Sequence, residues 1–336
     1  MADPILPDFD SLPVNEGAPQ PCAWGLFDKN GKKDHLGCLN LLTPTVVKEA
    51  LTYAREGVSI SLNWSLNALR KPLLGRNGFQ HSVIHLKESL GIHAFDDEVF
   101  FNTQGSSQWD SLAHWAHQDS GLHYNGVRIT REDILQPYGS EDVTKAFPTI
   151  NHWHDRGGLL GRGVLLDYHA YAEANGIRYS PFEKHSIPVS VLEDVAKYQS
   201  TKFKHGDILL IRMGYTEGLA SAASDEEQHR LASTHAAVGL ETSKVTARWI
   251  WNHHFTAVAC DALGLEAVPP VPSAGETLIL HEWLLALLGV PIGEMFDLKE
   301  LAEYCRKTKR YEFVFSSMPL NFPGAVASPP NAMAVF

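Results

Sequence analysis

Cysteine is scarce in this sequence, and its scarcity excludes two classes of site. The chain of 336 residues contains four cysteines, Cys22, Cys38, Cys260 and Cys305, and no two of them form a C-x-x-C pair. A disulfide framework or a thiolate zinc site needs cysteines at short, regular spacings. We therefore expect four reduced thiols, as is usual for a cytoplasmic protein.

Basic residues and long apolar runs are also in short supply. The 28 Lys and Arg face 39 Asp and Glu, which gives a formal net charge of −11. This balance argues against the basic patch with which proteins bind nucleic acid or anionic membranes. No run of about 18 apolar residues is present, and the first residues lack the charged and apolar regions of a signal peptide. We expect a cytoplasmic protein that binds a small molecule, and neither nucleic acid nor a membrane.

The sequence does contain enough apolar residues for a large core, since hydrophobic residues make up 44% of the chain. Short continuous apolar runs, typical of strands buried on both faces, occur at 163–167, 207–212 and 256–261. Helical patterns separate these runs and span 189–199, 241–252 and 278–288. The alternation of strands and helices predicts an α/β fold.

The first 22 residues differ from the rest of the chain. They contain five prolines and few periodic apolar positions. We expect an extended N-terminal arm over residues 1–22 that lies on the body or on a neighbouring subunit. Residues 23–336 show no repeat and no linker-like segment, which predicts a single domain. Within it, Thr43 and Pro44 predict the start of a helix, and Gly57 predicts its end.

The densest group of polar residues lies between Gln104 and His117. If the chain is helical from Asp110, the Asp110 carboxylate and the His114 imidazole lie on one face. Such a pair can coordinate a cation or relay a proton. The alternative is a helix cap at Asp110 and a packed His114 whose ring nitrogens are satisfied inside the fold.

Candidates for substrate contacts flank this pair. Trp109 and Trp115 offer stacking surfaces for an aryl group, although core packing is the commoner role of tryptophan. Asp261 ends a buried strand, where α/β folds bind ligands, and its alternative role is a turn or a helix cap. We predict that the substrate pocket includes Trp109, Trp115, His123, Tyr124 and Asp261.

His281 and Glu294 are two further polar residues in apolar surroundings. His281 opens an otherwise apolar helical stretch, and Glu294 follows a turn that contains glycine and proline. A lone histidine on an apolar helix is more often a packed residue than a ligand. Their positions alone therefore leave both roles open.

The order of several motifs resembles the cyclase family, the superfamily that includes bacterial kynurenine formamidase and isatin hydrolase. The resemblance covers about residues 20–330. It implies the family's swivelling β/β/α fold. The matching stretches are Leu36–Pro44, Phe95–Asp97, Gln108–His114, Tyr124–Gly126, Gly161–Asp167, Gly206–Arg212, Cys260–Asp261, His281 and Pro291–Leu298.

In the hydrolases of that family, the signature His-x-Gly-Thr-His-x-Asp-x-Pro-x-His supplies two His and an Asp to a divalent metal, and its last His is the acid/base. The resemblance gives these roles to Asp110 and His114, and makes His281 and Glu294 the later metal ligands. Gln104 and Gln108 stand at the first two positions. A glutamine oxygen is a weak ligand for Zn²⁺, whereas Mn²⁺, Mg²⁺ or Ca²⁺ tolerates it better.

The resemblance implies an enzyme, and three functions follow from it. The first is a hydrolase of a small amide, lactam or lactone with a cyclic or aryl group, which uses a divalent cation and His114 as acid/base. The second is a metal-free isomerase, dehydratase or cyclase that uses the same Asp, His and Glu residues. The third is a non-catalytic binder of small molecules. Family members commonly assemble, so we also expect a homodimer or a homotetramer.

Overall fold

A mixed β-sheet of nine strands organises the part of the chain that the structure describes. The structure is a computed structural model, and it describes residues 6–15, 17–19, 21–135 and 146–336. From one edge of the sheet to the other, the strands are β1 (Ser59–Ser61), β13 (Ala332–Val335), β11 (Glu312–Ser317), β5 (Leu159–Asp167), β7 (Ile208–Arg212), β9 (Ala257–Cys260), β10 (Ile292–Glu294), β4 (Gln108–Asp110) and β12 (Ala327–Ser328).

The centre of the sheet is parallel and buried on both faces. Strands β5, β7, β9 and β10 pair in parallel, whereas the outer strands pair antiparallel. Alternate residues of β7 pack into different hydrophobic clusters, with Leu209 in one and Leu210 in the other. Three of the central strands are the apolar runs seen in the sequence, so the α/β prediction is confirmed. The runs lack polar alternation because both of their faces are covered.

Two small sheets lie outside the large one. Strands β6 (Ser186–Ile187) and β8 (Gly239–Leu240) form a parallel pair. Strands β2 (Gln80–His85) and β3 (Phe95–Phe100) form an antiparallel hairpin whose apolar side chains are mainly exposed, Phe95 among them at 69%. A two-stranded hairpin is rarely stable by itself in water. The expected homo-oligomer stays a prediction, which light scattering of the purified chain would test.

Short helices cover the sheet. Among the described residues they are α1 (Pro44–Ala50), α2 (Leu86–Leu90), α3 (Arg131–Ile134), α4 (Asn151–Asp155), α5 (Tyr168–Ala174), α6 (Val189–Gln199), α7 (Tyr215–Ala220), α8 (Asp225–Ala232), α9 (Lys244–Asn252) and α10 (Lys299–Thr308). Single 3₁₀ turns occur at Phe9–Ser11, Gly37–Leu41, Leu51–Tyr53 and Tyr124–Gly126. None of these described helices combines the length and the apolar composition that crossing a bilayer requires.

The start of α1 agrees with the sequence prediction, but its end does not. Thr43 accepts a hydrogen bond from the Val46 N–H through its side chain, and Pro44 is the first helical residue. The helix ends at Ala50, and a 3₁₀ turn follows it. The prediction that Gly57 ends this helix is wrong because the chain is already extended at Ala54, on its way into β1.

A π-helix occupies Glu282–Leu288, with His281 as its N-cap residue. The segment was predicted as an ordinary helix over 278–288. Wide π turns are rare and occur often at functional sites, because the extra residue in each turn displaces neighbouring side chains. The helix ends at Gly289, whose φ of 70° favours glycine.

The described part of residues 1–22 lies on the body of its own chain. The Phe9 ring is fully buried, and its centroid is 5.8 Å from that of Trp283. The Phe9 N–H donates to Asn252 Oδ1 over 2.8 Å, and Trp251 Nε1 donates to the Pro7 carbonyl. These contacts attach the segment to α9 and to the π-helix.

Trp109 in β4 belongs to the hydrophobic core. Its side chain is fully buried, and its ring meets Trp153, Phe296 and Phe315 edge-on. The indole N–H donates to Ser317 Oγ over 3.0 Å, so the one polar atom of the ring is satisfied. The prediction that Trp109 stacks on a substrate is wrong because its ring faces the core on the opposite side of β4 from Gln108 and Asp110.

Replacing Trp109 with alanine is expected to lower the free energy of unfolding by about 3–5 kcal/mol, because a large buried ring leaves a cavity. Urea denaturation of the purified chain measures this change. Tyr198→Ala is the matched control, since Tyr198 is 58% exposed and its loss should cost about 0.5 kcal/mol or less. Equal midpoints for the two variants would contradict the core assignment of Trp109.

Candidate active site

The candidate site begins at the pairing of β4 with β10. In this antiparallel ladder Gln108 lies opposite Glu294, and Trp109 lies opposite Gly293. A side chain at Gly293 would come within 2.9 Å of the Trp109 ring, so the close approach requires glycine. Because side chains alternate along a strand, Gln108 and Asp110 share the face opposite Trp109. The ladder therefore joins residues that are 186 positions apart in the sequence.

Asp110 and His114 are neighbours, but not for the predicted reason. Asp110 is the last residue of β4, and the chain then turns so that the His114 N–H donates to the Ser111 carbonyl. The helix from Asp110, on which both the paired and the capped interpretation depended, does not form, because Asp110 pairs with Ile292 of β10 in the sheet. The turn still brings the two side chains together within the same cluster.

Two buried glutamines connect the acidic residues of the site. Gln108 Nε2 donates to Glu294 Oε2 over 2.8 Å and to Gln104 Oε1 over 2.6 Å. Gln104 Nε2 donates to Asp110 Oδ1 over 2.5 Å and faces His114 Nδ1 at 3.3 Å. An amide nitrogen can only donate, so with the amide in this orientation His114 Nδ1 is the acceptor, and Nε2 has no contact with Gln104. Both amides thus present N–H groups to the site residues.

Two acceptor atoms in this network have no donor among the described residues. Asp110 Oδ2 and Gln108 Oε1 are both buried and accept no hydrogen bond there. A buried acceptor without a partner costs about 1–3 kcal/mol. These atoms indicate that a ligand, a cation or a proton donor completes the site.

Glu266 orients His281. His281 Nδ1 lies 2.8 Å from Glu266 Oε2, and the His281 N–H donates to Glu266 Oε1. This leaves His281 Nε2 facing Glu294 Oε1 at 3.3 Å and Asp110 Oδ2 at 4.0 Å. A carboxylate on one ring nitrogen fixes the other as the ligand atom, which is the usual support of a metal-binding histidine.

Burial and charge act in opposite directions on these groups. Burial by itself lowers the pKa of His281, but the charges and hydrogen bonds of Glu266 and Glu294 outweigh it and raise that pKa well above its usual value. Burial raises the pKa of Glu294, with Asp110 and Glu266 adding to the effect and His281 opposing it. The cluster therefore holds a surplus of negative charge that His281 only partly offsets.

The donor set fits a divalent cation. One ligand atom from each of Asp110, His114 and His281 lies within 4.8 Å of the others, and Glu294 borders the same group. Asp110 Oδ2 is an unused oxygen at this point. Carboxylate and amide oxygens suit Mg²⁺, Mn²⁺ or Ca²⁺, and imidazole also suits Zn²⁺. Gln104 Oε1 accepts one hydrogen bond from Gln108, which leaves it one lone pair, whereas Gln108 Oε1 has no partner among the described residues.

A cavity of about 250 Å³ opens beside the cluster. Its polar walls include Gln104, His114, His281, Glu266 and Glu294. Its apolar walls are formed by Leu74, Trp115, Leu263, Val268, Pro270 and Ile279. The Trp115 ring lies 5.2 Å from the His281 ring, between the apolar and the polar walls. The volume and the lining suit a small, mainly apolar substrate.

The other predicted substrate contacts lie at different distances from this cavity. His123 does not line the cavity. Burial lowers the pKa of His123, and the charge of nearby His114 lowers it further. Tyr124 is fully buried, and its hydroxyl donates to Asp34 Oδ2 over 3.3 Å. The prediction that Tyr124 contacts substrate is wrong because its ring packs against Gly289 in the core.

Asp261 also has a different role from the predicted one. Its two carboxylate oxygens accept from the N–H groups of Met213 and Gly214 over 2.6 and 2.8 Å. Burial raises the pKa of Asp261 to about 7, against the effect of those N–H groups and of Arg212. The prediction that Asp261 contacts the substrate is wrong because both carboxylate oxygens accept hydrogen bonds from this turn and the residue does not line the cavity.

Glu266 and Arg76 line the cavity and were missed in the sequence. Glu266 follows β9 by a short loop, and a buried acidic residue just after a central strand is a signal that could have revealed it. Arg76 lies in the loop before β2, where nothing in the local sequence distinguishes it from a surface arginine. Both residues reach the site through long-range packing.

A profile of the cyclase family matches residues 40–267, which is more than half of the chain. The chain belongs to the cyclase family. The match includes Gln104, Gln108, Asp110, His114 and Glu266, and it ends before His281. None of the curated proteins compared with the chain matches it.

Solved structures share the fold. A structure described as a novel cyclase is 29% identical, with a TM-score of 0.77, and the alignment covers 94% of this chain and 99% of that one. Isatin hydrolase A from Labrenzia aggregata, bound to benzyl benzoate, is 12% identical, with a TM-score of 0.53 and coverage of 86% and 97%. An isatin hydrolase bound to the product analogue thioisatinate is 12% identical, with a TM-score of 0.54 and coverage of 86% and 95%. The predicted fold of the cyclase family is confirmed.

Proposed function

We propose that the protein is a hydrolase of a small amide, lactam or lactone that carries a cyclic or aryl group, and that it uses a divalent cation. The observation that carries this proposal is the convergence of Asp110, His114 and His281 around a buried carboxylate oxygen without a partner. The mainly apolar cavity beside them supports a substrate with an aryl or cyclic body.

The residues of the site have different proposed roles in cation binding, positioning and proton transfer. Asp110, His281 and Glu294 would hold the cation, and Glu266 keeps the His281 ring in place. When bound, the cation supplies polarisation of the scissile carbonyl and a lower pKa for an attacking water. His114, whose Nε2 is left unused by Gln104, would take a proton from the attacking water and then pass a proton to the departing nitrogen or oxygen, so that the ring returns to its starting state.

A second candidate function is a metal-free isomerase, dehydratase or cyclase, and the glutamines favour it. Their N–H groups donate to Asp110 and Glu294, so they stabilise both carboxylates without any cation. His281 between Glu266 and Glu294 supplies a positive charge. Asp110 and His114 would then move a proton between two positions of the substrate.

Metal removal separates the two candidates. For the hydrolase we expect about one equivalent of a divalent ion per chain, loss of activity on dialysis against a chelator, and recovery when Mn²⁺, Mg²⁺ or Zn²⁺ is returned. Elemental analysis and rates on a panel of lactams, lactones and aryl amides measure these outcomes. Metal-free protein that keeps its full activity in chelator would exclude the hydrolase mechanism and favour the second candidate.

A further inference from the structure

Arg76 is a second charged group in the wall of the cavity, and the mechanism above does not use it. It lies in the loop between β1 and β2 and is partly buried. Its Nη1 donates to the Gln104 carbonyl over 2.7 Å. The side chain of Gln104 contacts Asp110 and His114. Gln104 alone therefore connects the guanidinium to the two groups that are proposed to react.

The remaining donors of Arg76 have no partner in the described part of the chain. Its Nε and Nη2 make no hydrogen bond there, and no described carboxylate lies within ion-pair distance of it. The two fully buried arginines behave differently, because Arg162 pairs with Asp207 and Arg212 pairs with Asp167. Arg76 is only partly buried, and it lines the cavity. Its unpaired N–H groups are therefore available to a ligand there.

The charge of Arg76 persists inside the site. Burial lowers its pKa, whereas Glu294 and Asp110 act to raise it. An arginine side chain starts from a pKa above about 12 and stays protonated in proteins. Around the cavity, the carboxylates of Asp110, Glu266 and Glu294 face the positive charges of His281 and Arg76. Because a metal-bound histidine is neutral, a bound divalent cation would bring the sum of these charges to about zero, so the guanidinium itself is the group that would attract an anion.

We propose that Arg76 binds a carboxylate group of the substrate, which makes the substrate class a small aryl or branched-alkyl acid. A guanidinium fork matches a carboxylate in two parallel hydrogen bonds. The apolar walls at Trp115, Leu263, Val268 and Ile279 would hold the rest of the molecule. A single arginine beside Glu294 and Asp110 favours a monoanion over a phosphate, since the two acidic residues repel a second negative charge. The inference rests on the assignment of this cavity as the substrate site.

Isothermal titration calorimetry of the full chain, stripped of metal by a chelator, tests the assignment. The probes are benzoate and phenylacetate, each compared with its neutral amide. We expect the wild type to bind each acid about 10- to 100-fold more tightly than the matched amide. Arg76→Gln should abolish this preference. Arg76→Lys keeps a charge and a donor for the Gln104 carbonyl but loses the fork, so we expect an intermediate preference.

Arg70→Gln is the matched control, because Arg70 lies in the same loop with its side chain 58% exposed and should leave the preference unchanged. Thermal melting checks that each variant is folded. Equal binding of acid and amide by the wild type, no measurable binding of the acids, or an intact preference in Arg76→Gln would overturn the proposal. A preference that appears only after metal is returned, and survives Arg76→Gln, would place the carboxylate on the cation and also overturn it. If the Arg76-dependent preference holds while no lactam, lactone or amide is hydrolysed, the proposed reaction fails and the Arg76 assignment stands.

Discussion

Replacing His114 with alanine is expected to lower kcat/KM for the hydrolysed substrate by about 10²- to 10⁴-fold, the range that a positioned acid or base contributes. The imidazole lines the cavity, and Nε2 is the ring nitrogen that Gln104 leaves unused. The loss should fall mainly on kcat, because the apolar walls that bind the substrate are unchanged. Steady-state rates on the substrate found for the wild type measure the effect.

His117→Ala is the matched control for this experiment. His117 lies three residues further along the chain, its Nδ1 is 2.9 Å from Ser120 Oγ, and it does not line the cavity. We expect its rate to stay close to that of the wild type. Added imidazole should restore part of the activity of His114→Ala but should not affect His117→Ala. Wild-type turnover by His114→Ala would remove His114 from both candidate mechanisms.

The central strands could be predicted because their signal is local. An apolar run such as 207–212 has no polar alternation, and a short run of that composition is typical of a strand covered on both faces. The end of α1 could not be predicted in this way. Gly57 is a common helix terminator, but the helix had already ended at Ala50, where the packing of the next turn decides the path of the chain.

The neighbourhood of Asp110 and His114 was predicted from a helix that does not exist. A spacing of four residues brings side chains together on a helix, and a turn after a strand can do the same. The turn depends on β10, which lies far along the sequence from β4. The contact was therefore predictable, whereas the secondary structure behind it was not.

The two glutamines illustrate the limit of a motif comparison. The cyclase signature has histidine at both positions, so the sequence suggests that Gln104 and Gln108 offer oxygen to a metal. In the structure their N–H groups point to Asp110, Glu294 and His114. Amide orientation is set by the whole hydrogen-bond network, which includes Glu294 from another strand. No local pattern contains this information.

Glu266 and Arg76 could not be assigned for a related reason. A buried glutamate after β9 has a partner, His281, that lies 15 residues further on in a different element. Arg76 faces the cavity because the loop after β1 folds against the Gln104 backbone. Both roles result from tertiary packing, in contrast to capping at Thr43, where neighbours in the sequence are neighbours in space.

Replacing Asp110 with asparagine is expected to remove the bound cation and to lower kcat/KM by about 10³-fold or more, since several kcal/mol of charge stabilisation are lost. The substitution keeps the size of the side chain. The asparagine oxygen can still accept from Gln104 Nε2, which turns the amide NH₂ group to the position of the unpartnered Oδ2. A donor at that position repels a cation and also faces His281 Nε2.

Two measurements on Asp110→Asn separate the candidate mechanisms. Elemental analysis should find metal in the wild type and in the exposed control Asp119→Asn, but hardly any in Asp110→Asn. Unchanged metal content in Asp110→Asn would contradict its role as a ligand. If the wild type itself holds no metal and Asp110→Asn is still inactive, Asp110 acts as a proton carrier, and the metal-free mechanism replaces hydrolysis. The metal content thus distinguishes two roles of the Asp110 carboxylate, since a metal ligand requires an ion beside it and a general base does not.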